Sequence, residues 1–212
     1  MKAIITGGGT GGHIYPALAV ARALEEKGWD ILYLGSKGGL EGKIIKEEGL
    51  PYKEVEVAPL PRKISPKLIS SVVKTTIGYF QARKIIKAFQ PDLVLGTGGF
   101  VAGPVVLAAT DLKVPSIIHE QNVYPGFTNK LLARRVDFIA LNFAAAQDYF
   151  PEKIKGSFSV TGNPVRKAIL ETGRERGLEE LGLEAGRKTI LVFGGSQGAM
   201  SINRAMIEVY KH

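Results

Sequence analysis

The residues able to do chemistry gather at three glycine-rich turns and one strand end. "ITGGGTGGHIYP" at 5–16 sets five glycines, Thr10 and His13 between an apolar run and a helical pattern. "GTGGFVAGP" at 96–104 and "GGSQGA" at 194–199 repeat the arrangement. A strand that ends in glycines and feeds a helix collects backbone N–H groups and the positive end of a helix dipole at one spot, which suits a phosphate. Three such turns point to a phosphate-rich ligand. Gly7, Gly9 and Gly12 satisfy the dinucleotide spacing G-x-G-x-x-G, but that fold also wants a carboxylate at the end of its second strand. Here that strand closes as "YLGSKGG" at 33–39, which disfavours a nicotinamide cofactor, and no P-loop motif occurs.

Beside the first turn, His13 has three readings: a general base, a phosphate-binding cation, or a helix-capping bystander. His119 and Glu120, in "IIHEQN", close another strand, and ligands of open α/β sheets bind at strand C-termini. Glu120 is a second candidate catalytic carboxylate, with a solvated or capping side chain as its ordinary alternative. Ser196 adds a hydroxyl to the third turn. The chain has no cysteine, no D-x-D pair and no histidine cluster, so no metal site or bound cofactor is expected.

Those residues must be positioned by the elements around them. Apolar β-type runs alternate with helical patterns: "KAIITG", "DILYLG", "YKEVEV", "DLVLGTG", "PSIIHEQ" and "DFIALNF" are each followed by a helical stretch or turn. This order predicts an α/β fold, a Rossmann-like parallel sheet with helices on both faces. Past Thr161–Pro164 the text changes: a polar, Gly-rich stretch leads to "TILVFGGSQGAMSINRAMIEVYKH", which reads as a new strand, turn and helix. The expected division is a first domain over 1–162, then 163–212 as a linker and the opening unit of an incomplete second domain.

With 45% hydrophobic and 23% charged residues the chain has a globular composition, and no apolar run approaches the roughly 20 residues that span a bilayer. "MKAIITGG" reaches the first glycine turn too soon to contain a signal peptide, so a cytoplasmic location is expected. The net charge of +8 concentrates between Val57 and Pro91, where Arg62, Lys63, Lys67, Lys74, Arg83, Lys84 and Lys87 face no acidic residue. Within that block the spacing predicts a helix over 66–89, with Ser65 as N-cap and Pro66 at its first position. Leu68, Ile69, Val72, Val73, Ile77 and Phe80 recur at helical spacing. Ordinarily such a stripe packs on the sheet. The alternative is an interfacial helix whose apolar side chains, flanked by Lys67 and Lys74, meet an anionic bilayer. Nucleic acid is disfavoured, because no interleaved aromatics or binding module accompany the charge.

Taken in order, "GGTGGHIYPALAVA" at 8–21, "GTGGFVAGP" at 96–104, "HEQN" at 119–122, "TGNPVR" at 161–166 and "GGSQGA" at 194–199 closely resemble the MurG family of N-acetylglucosaminyltransferases. The resemblance implies a GT-B fold of two Rossmann-like domains. It also implies transfer of N-acetylglucosamine from UDP-GlcNAc to the muramic acid 4-hydroxyl of lipid I (undecaprenyl-pyrophosphoryl-MurNAc-pentapeptide), giving lipid II with inversion. His13 matches the family's proposed general base. Thr10, Gly11, Gly12, Asn122, Arg166 and Ser196 match positions at the nucleotide-sugar site, and Gly9, Gly98, Gly99 and Gly103 match loops thought to hold the acceptor diphosphate. The helix at 66–89 falls where the family's membrane patch belongs, which implies a peripheral protein on the cytoplasmic side of the bacterial membrane. Family members continue beyond this point, so the chain alone is expected to lack full transferase activity. Two rival readings are another GT-B glycolipid glycosyltransferase and a non-catalytic, lipid-diphosphate-binding subunit of a split enzyme.

Overall fold

A computed structural model describes residues 1–59, 61, 66–195 and 198–210. It divides into two compact units, Met1–Arg166 and Lys167–His212. The first is built on seven parallel strands: β1 (Lys2–Thr6), β2 (Asp30–Ser36), β3 (Tyr52–Val55), β4 (Leu93–Gly96), β5 (Ser116–Glu120), β6 (Phe138–Leu141) and β7 (Ser157–Val160). Their order in the sheet is β3-β2-β1-β4-β5-β6-β7, so the direction of winding reverses between β1 and β4. Six of these strands were expected; β7 is an addition at the edge, paired to β6 through Phe138–Ser157 to Leu141–Val160.

Alternation along the strands sends side chains to two separate cores. Ala3 and Ile5 of β1, with Ile31 and Tyr33 of β2, face helices α1 (Gly11–Glu25) and α2 (Leu40–Glu47). Ile4, Leu32 and Leu34 face the opposite way, toward α3 (Pro66–Phe89), α4 (Ala102–Asp111) and α5 (Phe127–Leu132). Both faces of the parallel sheet are therefore covered, as its apolar strands require.

Helix α3 departs from the ordinary expectation. Over its first two-thirds it buries Ser71 and Gly78, and Leu68 is only half-buried. Ile69, Val72, Val73, Ile77 and Phe80 face outward, Ile69 at 70% and Phe80 at 62% exposure. The reason lies in the small residues on the opposite side. A Cβ at Gly78 would meet the backbone carbonyl of Glu56, so the helix approaches the β3–α3 connection closely through a face without bulk. Only farther along, at Ala82 and Ile86, does α3 insert into the core. Ser65, expected as its N-cap, lies outside the described residues.

The second unit contains α6 (Lys167–Glu171), α7 (Arg174–Glu180) and α8 (Met200–Tyr210). The helix expected at its end is present. The strand expected at "TILVF" is not: Thr189–Phe193 makes no ladder, and Ile190, Leu191 and Phe193 are exposed. A strand exists by pairing, and no other strand lies in this unit among the described residues.

Candidate active site at the reversal of the strand order

In open parallel sheets the crevice at the reversal of strand order, at the strands' C-terminal ends, is where ligands bind. Here β1 and β4 flank that point, and each runs into a glycine turn. The two turns are knitted together. The Thr97 N–H donates to Thr6 O (2.9 Å), the Thr97 hydroxyl to His13 O (2.7 Å), and the Gly8 N–H to Gly98 O (3.4 Å). Tyr33, buried under the first turn, donates its hydroxyl to Gly7 O at 2.6 Å. Burial pushes that phenol well above its usual range, so it remains a donor.

Glycine is required where the turns touch. Gly98 (φ +106°) and Gly99 (φ +81°) adopt a left-handed backbone. A Cβ on Gly98 would lie 2.9 Å from the His13 ring, and one on Gly99 would meet the backbone oxygen of Gly8. Gly12 is different: nothing nearer than the Thr10 hydroxyl, at 3.7 Å, would meet its Cβ. The glycine at 12 therefore keeps the approach to the loop open.

His13 sits in the first turn of α1, half-buried, with Nδ1 3.0 Å from Thr97 O. A carbonyl oxygen only accepts, so Nδ1 carries a proton and Nε2 is the ring nitrogen left to face a substrate. Gln121, which sequence reasoning passed over, donates to the same Thr97 oxygen at 2.7 Å. Thr97 thus joins the first turn, the second turn and the loop after β5; its place inside a glycine motif was the only sign of this in the sequence.

Glu120 is nearly fully buried. One oxygen accepts the Asn122 backbone and side-chain N–H groups, both at 3.0 Å; the other accepts Gly126 N–H (3.0 Å) and Asn129 Nδ2 (2.8 Å). It fixes the turn from 121 to 126 and orients Asn122. His13 takes its orientation from Thr97, not from this carboxylate. The neighbouring His119 turns away, its Nε2 2.9 Å from Gly162 O. Arg166 reaches the same neighbourhood as α1: its guanidinium lies over the Tyr15 ring, 4.6 Å from the centroid. Thr10, the residue before α1, makes no side-chain cap, which leaves its exposed hydroxyl available. Ser196 lies outside the described residues.

A cavity of about 800 Å³ connects this polar end to an apolar one. His13, Gly98, Gly99, Gly103, Glu120 and Asn122 line the first end. Tyr79 and Phe80 of α3, Leu107 of α4, and Phe127 and Leu131 of α5 line the second. Phe80, Phe127 and Leu131 are themselves largely exposed, so the apolar end opens onto the outward face of α3.

A Rossmann-like parallel sheet with two glycine turns meeting at the strand reversal is the architecture of a doubly wound α/β ligand-binding domain. The model of the glycosyltransferase family 28 N-terminal domain matches residues 3–141, and the chain belongs to that family. Over its full length it is 58% identical to the UDP-N-acetylglucosamine–N-acetylmuramyl-(pentapeptide) pyrophosphoryl-undecaprenol N-acetylglucosamine transferase of Halothermothrix orenii. The protein of the same name from Bacillus pumilus is 46% identical over 99% of the chain. The chain spans 57% of the length of each of these relatives. Among solved structures, Acinetobacter baumannii MurG superposes with a TM-score of 0.69 at 31% identity, over 96% of this chain and 55% of that one. A UDP-GlcNAc 2-epimerase from Neisseria meningitidis shares the fold, with a TM-score of 0.65 at 15% identity over 100% of this chain and 62% of that one.

Proposed function

We propose that the chain is the acceptor-binding part of an inverting glycosyltransferase that moves N-acetylglucosamine from UDP-GlcNAc to the muramic acid 4-hydroxyl of lipid I. The observation that carries this reading is the two-ended cavity. An acceptor with a diphosphate between a sugar and a long hydrocarbon needs a polar end rich in backbone amides and an apolar end that leads to a membrane. His13 and the glycine turn at Gly98–Gly103, to which the first glycine turn is hydrogen-bonded, supply the first, and α3 and α5 supply the second. The names of the similar transferases support the same substrates.

In this scheme the acceptor hydroxyl oxygen forms its new bond to the anomeric carbon from the face opposite UDP. The bond from that carbon to the β-phosphate oxygen breaks, and UDP leaves with the electron pair. His13 Nε2 takes the hydroxyl proton, a contribution of about 10²–10⁴-fold for a well-placed base. Glu120 acts through Asn122 rather than on the proton. Asn122 and Arg166 attend the nucleotide sugar, Thr10, Gly11 and Gly12 bring the start of α1 to the reacting groups, and Ser196 belongs to the donor side.

The outward face of α3 suits an anionic membrane surface. Lys67 and Lys74, both exposed, flank Leu68, Ile69, Val72, Val73, Ile77 and Phe80. Basic residues beside apolar ones are drawn to acidic headgroups while the apolar side chains enter the acyl boundary. No helix among the described residues is long and apolar enough to cross a membrane. This reading makes the protein peripheral, on the face of the membrane where UDP-GlcNAc is available.

The test is a calorimetric titration of the chain with a short-chain, soluble lipid I analogue, with diacylglycerol and NAD in parallel. Binding of the analogue alone, lost in Gly12→Ala while the circular dichroism spectrum is kept, is the expected result. Binding of diacylglycerol in its place, or of neither lipid, contradicts the acceptor assignment.

A further inference from the structure

The sequence places no carboxylate at the end of β2, yet one lies there in the fold. Glu41, the second residue of α2, turns back over the sheet and is fully buried. Its Oε1 accepts the Ser36 backbone N–H at 2.7 Å and the Ser36 hydroxyl at 2.5 Å, and its Oε2 accepts the Gly9 N–H at 3.2 Å. The carboxylate therefore ties the end of β2 to the middle of the first glycine turn. Three glycines are shaped around it. A Cβ on Gly8, Gly35 or Gly39 would lie within 2.5–2.6 Å of a Glu41 side-chain atom. The packing also reaches Tyr52, whose phenol is raised first by burial and then by the Glu41 charge.

This is the corner in which a dinucleotide fold directs its acidic residue outward to a ribose. Here the acid comes from the helix instead of the strand, points inward, and occupies the space. Gly9 also has its amide turned toward Glu41 and Gly8 has its amide on Gly98 O, so the N–H groups that remain for an anionic ligand at the start of α1 are those of Thr10, Gly11 and Gly12. All three precede the first amide that bonds within the helix, His13 N–H to Thr10 O.

We propose that Glu41 is a positioning residue for the candidate active site: it holds the first glycine turn in the conformation that presents Gly11, Gly12 and His13 to the acceptor diphosphate. The value of this role for binding rests on the acceptor reading above; the hold on the turn does not. Glu41→Leu keeps bulk and removes every acceptor. Glu41→Gln leaves one acceptor oxygen where two serve the donors, and so restores part of the hold. Ser36→Ala deletes one donor to the same carboxylate and leaves its bond to Gly9 in place.

The experiment is amide hydrogen exchange at Gly9–His13, read with the affinity for the short-chain lipid I analogue, in the parent chain and the three variants. A hydrogen bond to a charged group is worth about 1.5–3 kcal/mol, hence about 10–100-fold. Glu41→Leu is expected to lose protection and affinity on that scale, Glu41→Gln to lose less of both, and Ser36→Ala to cost stability while keeping affinity within about two-fold. Unchanged exchange and affinity in Glu41→Leu overturn the proposal, as does an equal loss of affinity in Ser36→Ala. If circular dichroism shows that Glu41→Leu fails to fold, Glu41→Gln decides: parent-like exchange and affinity overturn the proposal. Should the parent chain bind no analogue, exchange at Gly9 still decides the role of Glu41, and the acceptor reading is what falls.

Discussion

Helices α1 and α3 carry the same kind of periodic apolar stripe and use it in opposite ways. In α1 the stripe of Ile14, Ala17, Leu18 and Ala21 is buried against β1 and β2. In the first two-thirds of α3 the large apolar residues look outward, and Ser71 and Gly78 make the contact inward. A helix with an apolar stripe ordinarily buries it, so an exposed one implies a partner that is apolar itself. The contrast teaches that one helix of the first unit is packed to hold its glycine turn, whereas the other leaves its large apolar side chains outward, as the proposed membrane contact requires. The glycine turn sits at the start of α1, where hydrogen bonds with Tyr33, Glu41, Thr97 and Gly98 hold it, and the apolar mouth of the cavity opens along α3.

The largest expected effect strikes α1 at its chemical end. In a chain extended to the length of its relatives, His13→Ala should lower turnover by about 10²–10⁴-fold with acceptor binding largely retained. Near-normal steady-state rates would remove His13 from the chemistry. Next comes the buried stripe: Leu18→Ala should cost about 2–5 kcal/mol in urea denaturation, since it opens a cavity between α1 and the sheet. The outward stripe predicts the reverse pattern. Replacing Ile69, Val73 and Phe80 together with serine should lower the affinity for anionic vesicles at least about ten-fold, given about 1.5–3 kcal/mol for each large apolar side chain buried. The urea midpoint should stay close to that of the parent. A large drop in stability, with vesicle binding intact, would mean that this stripe is packed in solution after all.

A smaller effect separates the sheet from both helices. Burial holds His119 below its ordinary value of 6.5, and its Nε2–H donates to Gly162 O, which leaves the ring neutral in the folded chain. The unfolded chain takes up a proton at the ordinary value, so this contribution to stability is complete above pH 6.5 and declines as pH falls below it. Urea midpoints at pH 7.5 and pH 5.5 should differ in that direction, with a smaller difference in His119→Gln. The smallest effect belongs to Ile69→Ala alone, within about 0.5 kcal/mol of the parent's stability, as for a surface position.

Much of this was legible before any fold was drawn, and the exceptions share a cause. Strands β1 to β6 announced themselves by short apolar runs closed by glycine or polar turns, and the two turns that meet at the strand reversal were found from glycine spacing. What a single stretch of sequence cannot carry is the identity of its neighbour. Strand β7 is four residues, largely exposed, and exists because β6 offers an edge. "TILVF" has better strand composition and forms no ladder, because no strand among the described residues of its unit offers an edge. The stripe on α3 fixed which residues share a face but not whether that face turns inward; the decisive features were the small residues opposite, Ser71 and Gly78. Glu41 escaped for a related reason. The dinucleotide pattern looks for an acid at the strand end, and this one reaches the same corner from the following helix. Glu120 was visible as a candidate carboxylate, but its engagement by Asn122, Gly126 and Asn129 depends on a turn whose shape the sequence does not state.

The central claim is that one acceptor occupies both ends of the cavity, its diphosphate at the glycine turns and its hydrocarbon along α3 and α5. The most direct test measures the affinity of the chain for lipid I analogues that differ only in hydrocarbon length, in the parent and in Phe80→Ser. The account predicts tighter binding as the first isoprene units are added, at up to about 0.8 kcal/mol for each buried CH₂, and a flatter dependence in Phe80→Ser. Affinity that is independent of chain length in both proteins would contradict it.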